Sequence, residues 1–179
     1  MKTTSIKNLK KLTASALFLA LALVLPFLTG QIPEIGGMLC PMHIPVLLCG
    51  MVCGPVWGGA VGFIAPLLRY AIFGMPPIYP TGISMAFELL SYGVVAGLMV
   101  MLLPKKVPFL YVSLVTAMVS GRIVWALVRT FITIFGGAPF TFAIFAADGF
   151  VNAIPGIVVQ LVIIPPIVFA LKKAKLTFN

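Results

Sequence analysis

Long runs of apolar residues alternate with short proline- and glycine-rich stretches along this chain. The runs are continuously apolar, whereas the strands of a membrane β-barrel alternate apolar and polar residues, so the pattern predicts helices. Proline and glycine mark the turns between them. We predict six helices, at residues 12–28, 41–53, 56–73, 83–103, 109–135 and 148–171, with a short segment at 140–147 ahead of the last one.

The second predicted helix is shorter than a membrane crossing. A spanning helix needs about 20 residues, whereas 41–53 provides roughly 20 Å of helix at 1.5 Å per residue. It must be tilted, or be lengthened by part of the preceding loop. The sequence has no convincing internal repeat, so an inverted-repeat carrier is not supported.

Composition assigns the chain to the membrane. Of its 179 residues, 61% are hydrophobic and 8% are charged, whereas a soluble domain has about 25% charged residues. This chain has too few charges to cover a water-facing surface. Because lipid tolerates only closed backbone hydrogen bonding, we expect an all-α integral membrane protein, a bundle of six transmembrane helices.

Basic residues set the predicted orientation. The net charge is +9, and nine lysines fall in three clusters: before the first helix, at 105–106, and at 172–175. An even number of predicted helices separates each cluster from the next, so six crossings place all three clusters and both termini on one side. Such clusters are typical of the cytoplasmic side. The membrane explains the charge, and no nucleic-acid partner is expected.

We expect a single membrane domain over residues 1–179. It comprises a basic cytoplasmic segment at 1–11, a long outer loop at 29–40 and a cytoplasmic tail at 172–179. The first apolar run superficially resembles a signal peptide, but it ends in Pro-Phe-Leu-Thr-Gly-Gln and not in a small-residue cleavage site, so we interpret it as a retained helix. Three cysteines, an odd number, imply no disulfide framework.

Charged residues inside the predicted helices are candidates for function, because polar groups within lipid are costly. Four of the five lie in the outer half of the predicted bundle, and Arg122 lies near mid-depth. Asp148 begins the last predicted helix, where a carboxylate also suits the helix dipole. The five are Arg69, Glu88, Arg122, Arg129 and Asp148.

Helical spacing places these residues on common faces. Arg122, Trp125 and Arg129 share one face of the fifth helix, at i, i+3 and i+7. Asp148 and Asn152 are four residues apart on the sixth. A membrane bundle gains little from turning polar faces outward, so we expect them to line one cavity that opens to the outside. By the same spacing, the fourth helix has a polar stripe of Ser84, Glu88, Ser91 and Tyr92.

The charge balance of such a cavity indicates its ligand. Three arginines against two carboxylates leave one positive charge if all five converge, which favours a monoanion, and arginine donates paired hydrogen bonds to a carboxylate. The alternative is that these charges form structural ion pairs between helices. Trp125, Tyr79 and Tyr92 could stack on a ligand, although each is equally compatible with packing or with the membrane interface.

Small residues are spaced for close helix contacts in two helices. Ala16 and Ala20 in the first helix have the small-xxx-small spacing that lets another helix approach closely. Gly58, Gly59 and Gly62 offer the same on the third helix. From the sequence, a partner-facing role and internal packing are both open.

Motifs of enzymes and metal sites are scarce. The chain has no Gly-x-x-x-x-Gly-Lys-Ser/Thr loop, no Gly-x-Ser-x-Gly elbow and no His-Glu-x-x-His pair. Met42, His43, Cys49 and Cys53 could in principle surround a soft metal. However, Cys49 lies about a turn and a half beyond His43 in an apolar helix, where cysteine behaves as a small hydrophobe. We therefore expect no metal site, no cofactor and no catalytic residue.

The stretch from Met42 to Pro77, "MHIPVLLCGMVCGPVWGGAVGFIAPLLRYAIFGMPP", joins a short helix beginning near Ile-Pro, a Gly-Pro turn and a glycine-rich third helix. With six helices and a long loop after the first, it resembles the S component, the substrate-binding subunit of energy-coupling factor (ECF) vitamin transporters. The resemblance covers nearly the whole chain. Ala16-x-x-x-Ala20 matches the alanine motif with which S components dock on the transmembrane T component.

The resemblance implies a mechanism. An S component binds a vitamin in an outward-facing cavity formed by the outer halves of helices 4 to 6 and the loops, with the loop at 29–40 as a lid. The loaded subunit then topples in the membrane, driven by a T component and two ATPase subunits, and releases the vitamin inside. The implied protein is a multi-pass protein of the bacterial plasma membrane, and ATP hydrolysis belongs to its partners.

Among S components, the Met-His-Ile-Pro start and the surplus of arginine are most similar to the pantothenate type. Pantothenate is a small monoanion, in agreement with the charge balance. Pyridoxine, hydroxymethylpyrimidine and riboflavin stay open, while thiamine, a cation, fits poorly. The sequence is also compatible with a metal-uptake subunit, with an intramembrane enzyme using His43 or Cys40, and with a scaffold subunit. The expected ligand-binding residues are Arg129, Arg122, Trp125, Glu88, Asn152, Tyr79, Arg69, Asp148 and His43, and the expected docking residues are Ala16 and Ala20.

Overall fold

The structure is a computed structural model that describes residues 2–29, 38–104, 106–136 and 140–178. The regular elements in this part of the chain are all helical. A 3-10 turn, Leu25–Thr29, extends the first helix, and π turns at Ile78–Gly82 and Ala147–Val151 precede two others. The helices are α1 (Lys2–Val24), α2 (His43–Cys53), α3 (Pro55–Phe73), α4 (Ile83–Leu102), α5 (Val107–Ile134), α6 (Phe142–Ala146) and α7 (Ile154–Lys173).

Five helical stretches are long and apolar enough to cross a membrane, which confirms the all-α membrane fold. α2 has only 11 residues, about 16 Å at 1.5 Å per residue, so a sixth crossing and the side on which the termini lie stay predictions. The five stretches are Ile6–Leu28, Pro55–Phe73, Ile78–Leu102, Val107–Ile134 and Phe142–Lys173.

The second to fifth predicted helices agree with the structure to within two residues at each end. The first does not, because α1 begins at Lys2 and runs through the basic segment. Most of the predicted outer loop, residues 30–37, lies outside the described residues.

The prediction that the last helix begins at Asp148 is wrong. The side chain of Thr141 accepts a hydrogen bond from the Ile144 N–H and caps the short helix α6. A π turn follows, and α7 begins only at Ile154, with a proline in its first turn. Proline suits that position because the first N–H groups of a helix have no partner within it. Asp148 therefore lies in the turn between two helices.

Glycines let α2, α3 and α4 pack backbone against backbone. A Cβ atom added at Gly58 of α3 would lie 2.7 Å from the carbonyl oxygen of Gly93 on α4, and one added at Gly50 of α2 would overlap that same carbonyl group. A Cβ added at Gly62 would likewise overlap the backbone of α4 at Leu89. Small residues allow this approach, so the glycines of α3 serve internal packing.

The remaining long helices surround this three-helix core. α1 packs on α2 and α3, α5 packs on α4, and α7 packs on α2 and α5. Leu47, Leu89, Leu114 and Ile164, from four different helices, are fully buried between them.

The two ends of the bundle differ in chemistry. At one end, Lys7 and Lys11 of α1, Pro55 at the start of α3, Met101 near the end of α4 and Phe178 of the tail line a common cavity. We call this the lysine end. The opposite end, where α2 and α4 begin, is the loop end. The N-terminal helix and the C-terminal tail thus meet at the same end of the bundle.

Candidate functional site

The polar stripe of α4 faces the interior of the bundle. Ser84, Glu88, Ser91 and Tyr92 are all buried, and the Ser91 hydroxyl donates to the Ser120 hydroxyl of α5 at 3.3 Å. The ring of Tyr92 fits against Gly121 of α5, where any Cβ would overlap it.

Glu88 is the centre of a buried ion cluster, which comprises His43, Glu88, Tyr92 and Arg122. Arg122 of α5 places Nη1 2.8 Å from Glu88 Oε1. His43, in the first turn of α2, places Nε2 3.6 Å from the same oxygen, and its ring lies 5.2 Å from that of Tyr92. Three helices therefore meet at this carboxylate near the loop end.

Within this cluster the charges of Glu88 and Arg122 cancel, but the His43 ring lacks hydrogen-bond partners among the described residues. One guanidinium faces one carboxylate, and both are nearly inaccessible to solvent. His43 is 3% exposed, yet neither of its ring nitrogens has a hydrogen-bond partner among the described residues. An unsatisfied buried polar group costs about 1–3 kcal/mol, so His43 is suited to hydrogen-bond a ligand.

Cys40 lies beside the cluster, with its Sγ 3.8 Å from Arg122 Nη2. Burial raises the pKa of the Cys40 thiol, although the nearby Arg122 charge acts in the opposite direction. The thiol therefore stays protonated at neutral pH. Because the thiolate is the nucleophilic form, this environment does not favour an enzyme that uses Cys40.

Arg129 lies in an aromatic–arginine group, which comprises Trp125, Arg129, Phe140 and Phe145. Its Cζ lies 5.9 Å from the Trp125 ring centre and 5.7 Å from that of Phe140. Trp125 also meets Phe140 edge-on and stacks on Phe145. The Arg129 Nε atom is buried without a hydrogen-bond partner among the described residues. This arginine has an apolar cage and no described carboxylate beside it.

Arg69 makes contacts of a different kind. Its guanidinium donates to the backbone carbonyl oxygen of Leu23 at the end of α1, and lies 5.0 Å and 5.4 Å from the ring centres of Phe27 and Phe73. The last carbonyl groups of a helix have no partner within it. Arg69 therefore joins the end of α1 to α3, and does not contact the cluster at Glu88.

The remaining candidates are exposed at the loop end. Asn152 Nδ2 donates to Asp148 Oδ1 at 3.0 Å, and both side chains are exposed. Tyr79, in the π turn before α4, is 52% exposed. Of the five charges, Glu88 and Arg122 pair with each other and the other three contact different groups, so the expectation that all five converge on one cavity is corrected. The reason is that Arg69, Arg129 and Asp148 find nearer partners on adjoining segments.

The chain was also compared with known proteins. The model of the family "ECF transporter, substrate-specific component" matches residues 10–168. The chain belongs to this family. No curated protein and no solved structure matches it. The protein is accordingly an S component, a membrane-embedded substrate-binding subunit, and its family implies a small-molecule substrate and partner T-component and ATPase subunits.

Two aromatic residues beside Trp125, Phe140 and Phe145, were not among the residues predicted from the sequence. Phe140 and Phe145 surround Trp125 and Arg129, and with Thr130 of α5 they line a cavity of about 240 Å³ between α5 and α6. Their aromatic character was visible in the sequence. Their position was not, because it depends on how α6 folds back against α5.

His43 and Cys49, which were considered as ligands of a soft metal, face different partners in the structure. The Cys49 thiol donates to the Ser15 hydroxyl of α1 at 3.5 Å, whereas His43 faces Glu88. Among the described residues, no three His, Cys, Asp or Glu side chains gather as a set of metal ligands.

On the outer surface of α1, Ala16 and Ala20 are both exposed. They do not pack inside this S component.

Proposed function

We propose that this S component binds a water-soluble vitamin with one negative charge, and that pantothenate is the favoured substrate. The binding site would lie at the loop end, between the buried ion cluster and the aromatic–arginine group. Pyridoxine, hydroxymethylpyrimidine and riboflavin are the alternatives within the vitamin class.

The observation that carries this proposal is the difference between the three arginines. Glu88 neutralises Arg122, and the carbonyl end of α1 engages Arg69. Arg129 has neither a carboxylate partner nor a hydrogen-bond partner for its buried Nε atom among the described residues. A ligand carboxylate would complete this site, because a guanidinium binds a carboxylate through two parallel hydrogen bonds.

The geometry of α5 supports a ligand that reaches from Arg129 towards the ion cluster. Arg122 and Arg129 are seven residues apart, or roughly 10 Å along the helix axis, with Trp125 between them. In the proposed complex Trp125 stacks on the ligand and Arg129 binds its carboxylate. His43 and Asn152 offer polar groups to the rest of the molecule, and Tyr79 and Asp148 lie at the opening.

The proposed transport cycle follows from the family. The loop at 29–40 closes over the vitamin, and the loaded subunit docks on a T component through Ala16 and Ala20. With both termini on the cytoplasmic side of a bacterial plasma membrane, toppling releases the vitamin inward, and two ATPase subunits supply the energy. The exposure of both alanines supports the docking step.

Calorimetric titration of the purified protein with a panel of B vitamins tests the substrate. We expect pantothenate to bind, and Arg129→Gln to weaken binding about 10- to 100-fold, because a hydrogen bond to a charged group contributes about 1.5–3 kcal/mol. Arg129→Lys should keep part of the affinity, since the charge remains. Lys106→Gln removes one positive charge at the lysine end and should change nothing.

Some outcomes of this titration would contradict the proposal. Tight binding of a neutral vitamin with pantothenate inert would assign another substrate. Unchanged affinity in Arg129→Gln would remove this arginine from the site. Binding of nickel or cobalt in place of any vitamin would favour the metal-uptake alternative.

A further inference from the structure

A cavity of about 310 Å³ lies at the lysine end, opposite the proposed vitamin site. The tail closes one side of it, because the backbone N–H of Phe178 donates to the Val52 carbonyl oxygen at 2.8 Å. The cavity is thus bounded by four helices, including the end of α2 at Cys53, and by a fixed tail. Its walls include Lys7, Lys11, Pro55, Trp57, Met101 and Phe178.

The positive charge of this cavity has no counterpart in the described protein. Lys7 and Lys11 are one helical turn apart, so their ammonium groups lie on the same side of α1, and neither forms an ion pair with a described residue. Glu88 and Asp148 are the chain's two described acidic side chains, and their partners are Arg122 of α5 and Asn152 of the turn before α7, both outside this cavity. An external anion would therefore find two ammonium groups that no described acidic side chain neutralises.

The depth of the cavity corresponds to the membrane surface. It is bounded by the beginnings of the spans Ile6–Leu28 and Pro55–Phe73 and by the end of Ile78–Leu102. Tryptophan is enriched at this depth, and Trp57 lines the wall. Lysines near helix ends extend towards the lipid head groups. An anion at this position is therefore within reach of the lipid.

The end of α2 and the beginning of α3 both lie on this cavity, because Cys53 and Pro55 line it. Their partial charges are opposite in sign, so the two ammonium groups set the charge of the cavity.

We propose that this cavity binds the phosphate group of an anionic phospholipid. Lys7 and Lys11 contact the phosphate oxygens, while Trp57, Met101 and Phe178 contact the glycerol and the upper acyl chain. Basic pockets between helices at this depth are known to suit acidic head groups. Inorganic phosphate shares the charge but makes no use of the apolar wall, so the lipid is the better match.

Trp57 provides the probe, because the only other tryptophan, Trp125, lies in the aromatic–arginine group. Trp125→Phe protein is reconstituted into phosphatidylcholine vesicles, and quenching of Trp57 fluorescence by brominated phosphatidylglycerol is compared with quenching by brominated phosphatidylcholine. We expect phosphatidylglycerol to quench at a lower mole fraction, by about fivefold per lysine, or about 1 kcal/mol each. Higher salt should reduce this preference.

Matched variants decide whether the cavity is responsible. Lys7→Gln/Lys11→Gln should abolish the preference, whereas Lys106→Gln/Lys173→Gln, which removes the same charge at the same end outside the cavity, should retain it. Equal quenching by the two lipids, or equal loss in both double variants, would overturn the proposal. So would abolition of the preference by millimolar inorganic phosphate, which indicates a free-anion site. Protection of Lys7 and Lys11 from acetylation by the assembled transporter, but not by phosphatidylglycerol, would assign the surface to a partner subunit.

Discussion

At the residue scale, the contact that distinguishes this interior is the one between Glu88 and Arg122. Arg122 Nη1 and Glu88 Oε1 are 2.8 Å apart, and both side chains are buried. A buried ion pair adds little net stability, but removing one partner leaves an uncompensated charge in a medium of low dielectric constant. The pair therefore acts as a unit.

Replacing both members of the pair should destabilise the protein less than the sum of the two single replacements. We expect Glu88→Gln and Arg122→Gln each to lower the free energy of unfolding by about 3–5 kcal/mol, and the double variant to lose clearly less than the sum. Thermal unfolding in detergent measures this coupling. Arg129→Gln is the control, because it leaves no described carboxylate unpaired. Additive losses would show that the two side chains are not coupled.

Sequence spacing predicted part of this arrangement. The i, i+3, i+7 spacing of Arg122, Trp125 and Arg129 placed them on one face, and Trp125 does contact Arg129. Spacing could not decide which arginine pairs with Glu88. That choice depends on the distance between α4 and α5, where Gly121 makes room for the ring of Tyr92.

At the element scale, the close packing of α2, α3 and α4 depends on glycine. A Cβ at Gly58 meets backbone atoms of Gly50 and Gly93, which cannot move without shifting a helix. The neighbouring Gly59 differs, because its Cβ would meet the end of the Val94 side chain at 2.6 Å. Two adjacent glycines thus have different constraints.

Alanine substitutions separate these two positions. We expect Gly58→Ala to lower the free energy of unfolding by about 1–3 kcal/mol or more, since overpacking displaces the backbone. Gly59→Ala should cost clearly less, because its Cβ meets one side-chain methyl group of Val94 and no backbone atom within 3 Å, and alanine favours the helix by about 1 kcal/mol over glycine. The unfolding midpoints of the two variants test this. Equal midpoints would argue against backbone packing at Gly58.

The helix bounds show what local sequence can predict. Apolar runs bounded by proline and glycine located α2 to α5 to within two residues. The same reasoning predicted a break after residue 147, near the end of α6, but started the last helix at Asp148. α7 begins at Ile154 with a proline in its first turn, and the π turn between the two helices was not predicted.

At the scale of the whole molecule, α1 has an inner and an outer surface. Ser15, Phe18 and Ala22 are buried, whereas Ala16 and Ala20 are exposed among larger apolar residues. Exposed small residues on a membrane helix allow close approach of a partner helix. This placement matches the proposed docking on a T component.

Bulky residues at these alanines should separate binding from transport. We expect Ala16→Leu/Ala20→Leu to leave vitamin affinity within about twofold, because neither side chain enters the bundle, and to reduce uptake by the complete transporter at least about tenfold. Ala170→Leu, at an exposed alanine of α7, is the control for added bulk in the lipid-facing surface. Uptake is measured in reconstituted vesicles. Normal uptake by the double variant would place the docking surface elsewhere.

The sequence by itself determined the class of this protein, its helices and the separation of lysines from the other charges. These properties depend on composition and on periodicity within one segment, which local chemistry fixes. Tertiary structure alone decided that Glu88 pairs with Arg122, that Arg69 binds the end of α1, and that Arg129 lies between Trp125 and Phe140. Each of these choices depends on distances between different segments of the chain, which only the packing of the helices against one another sets.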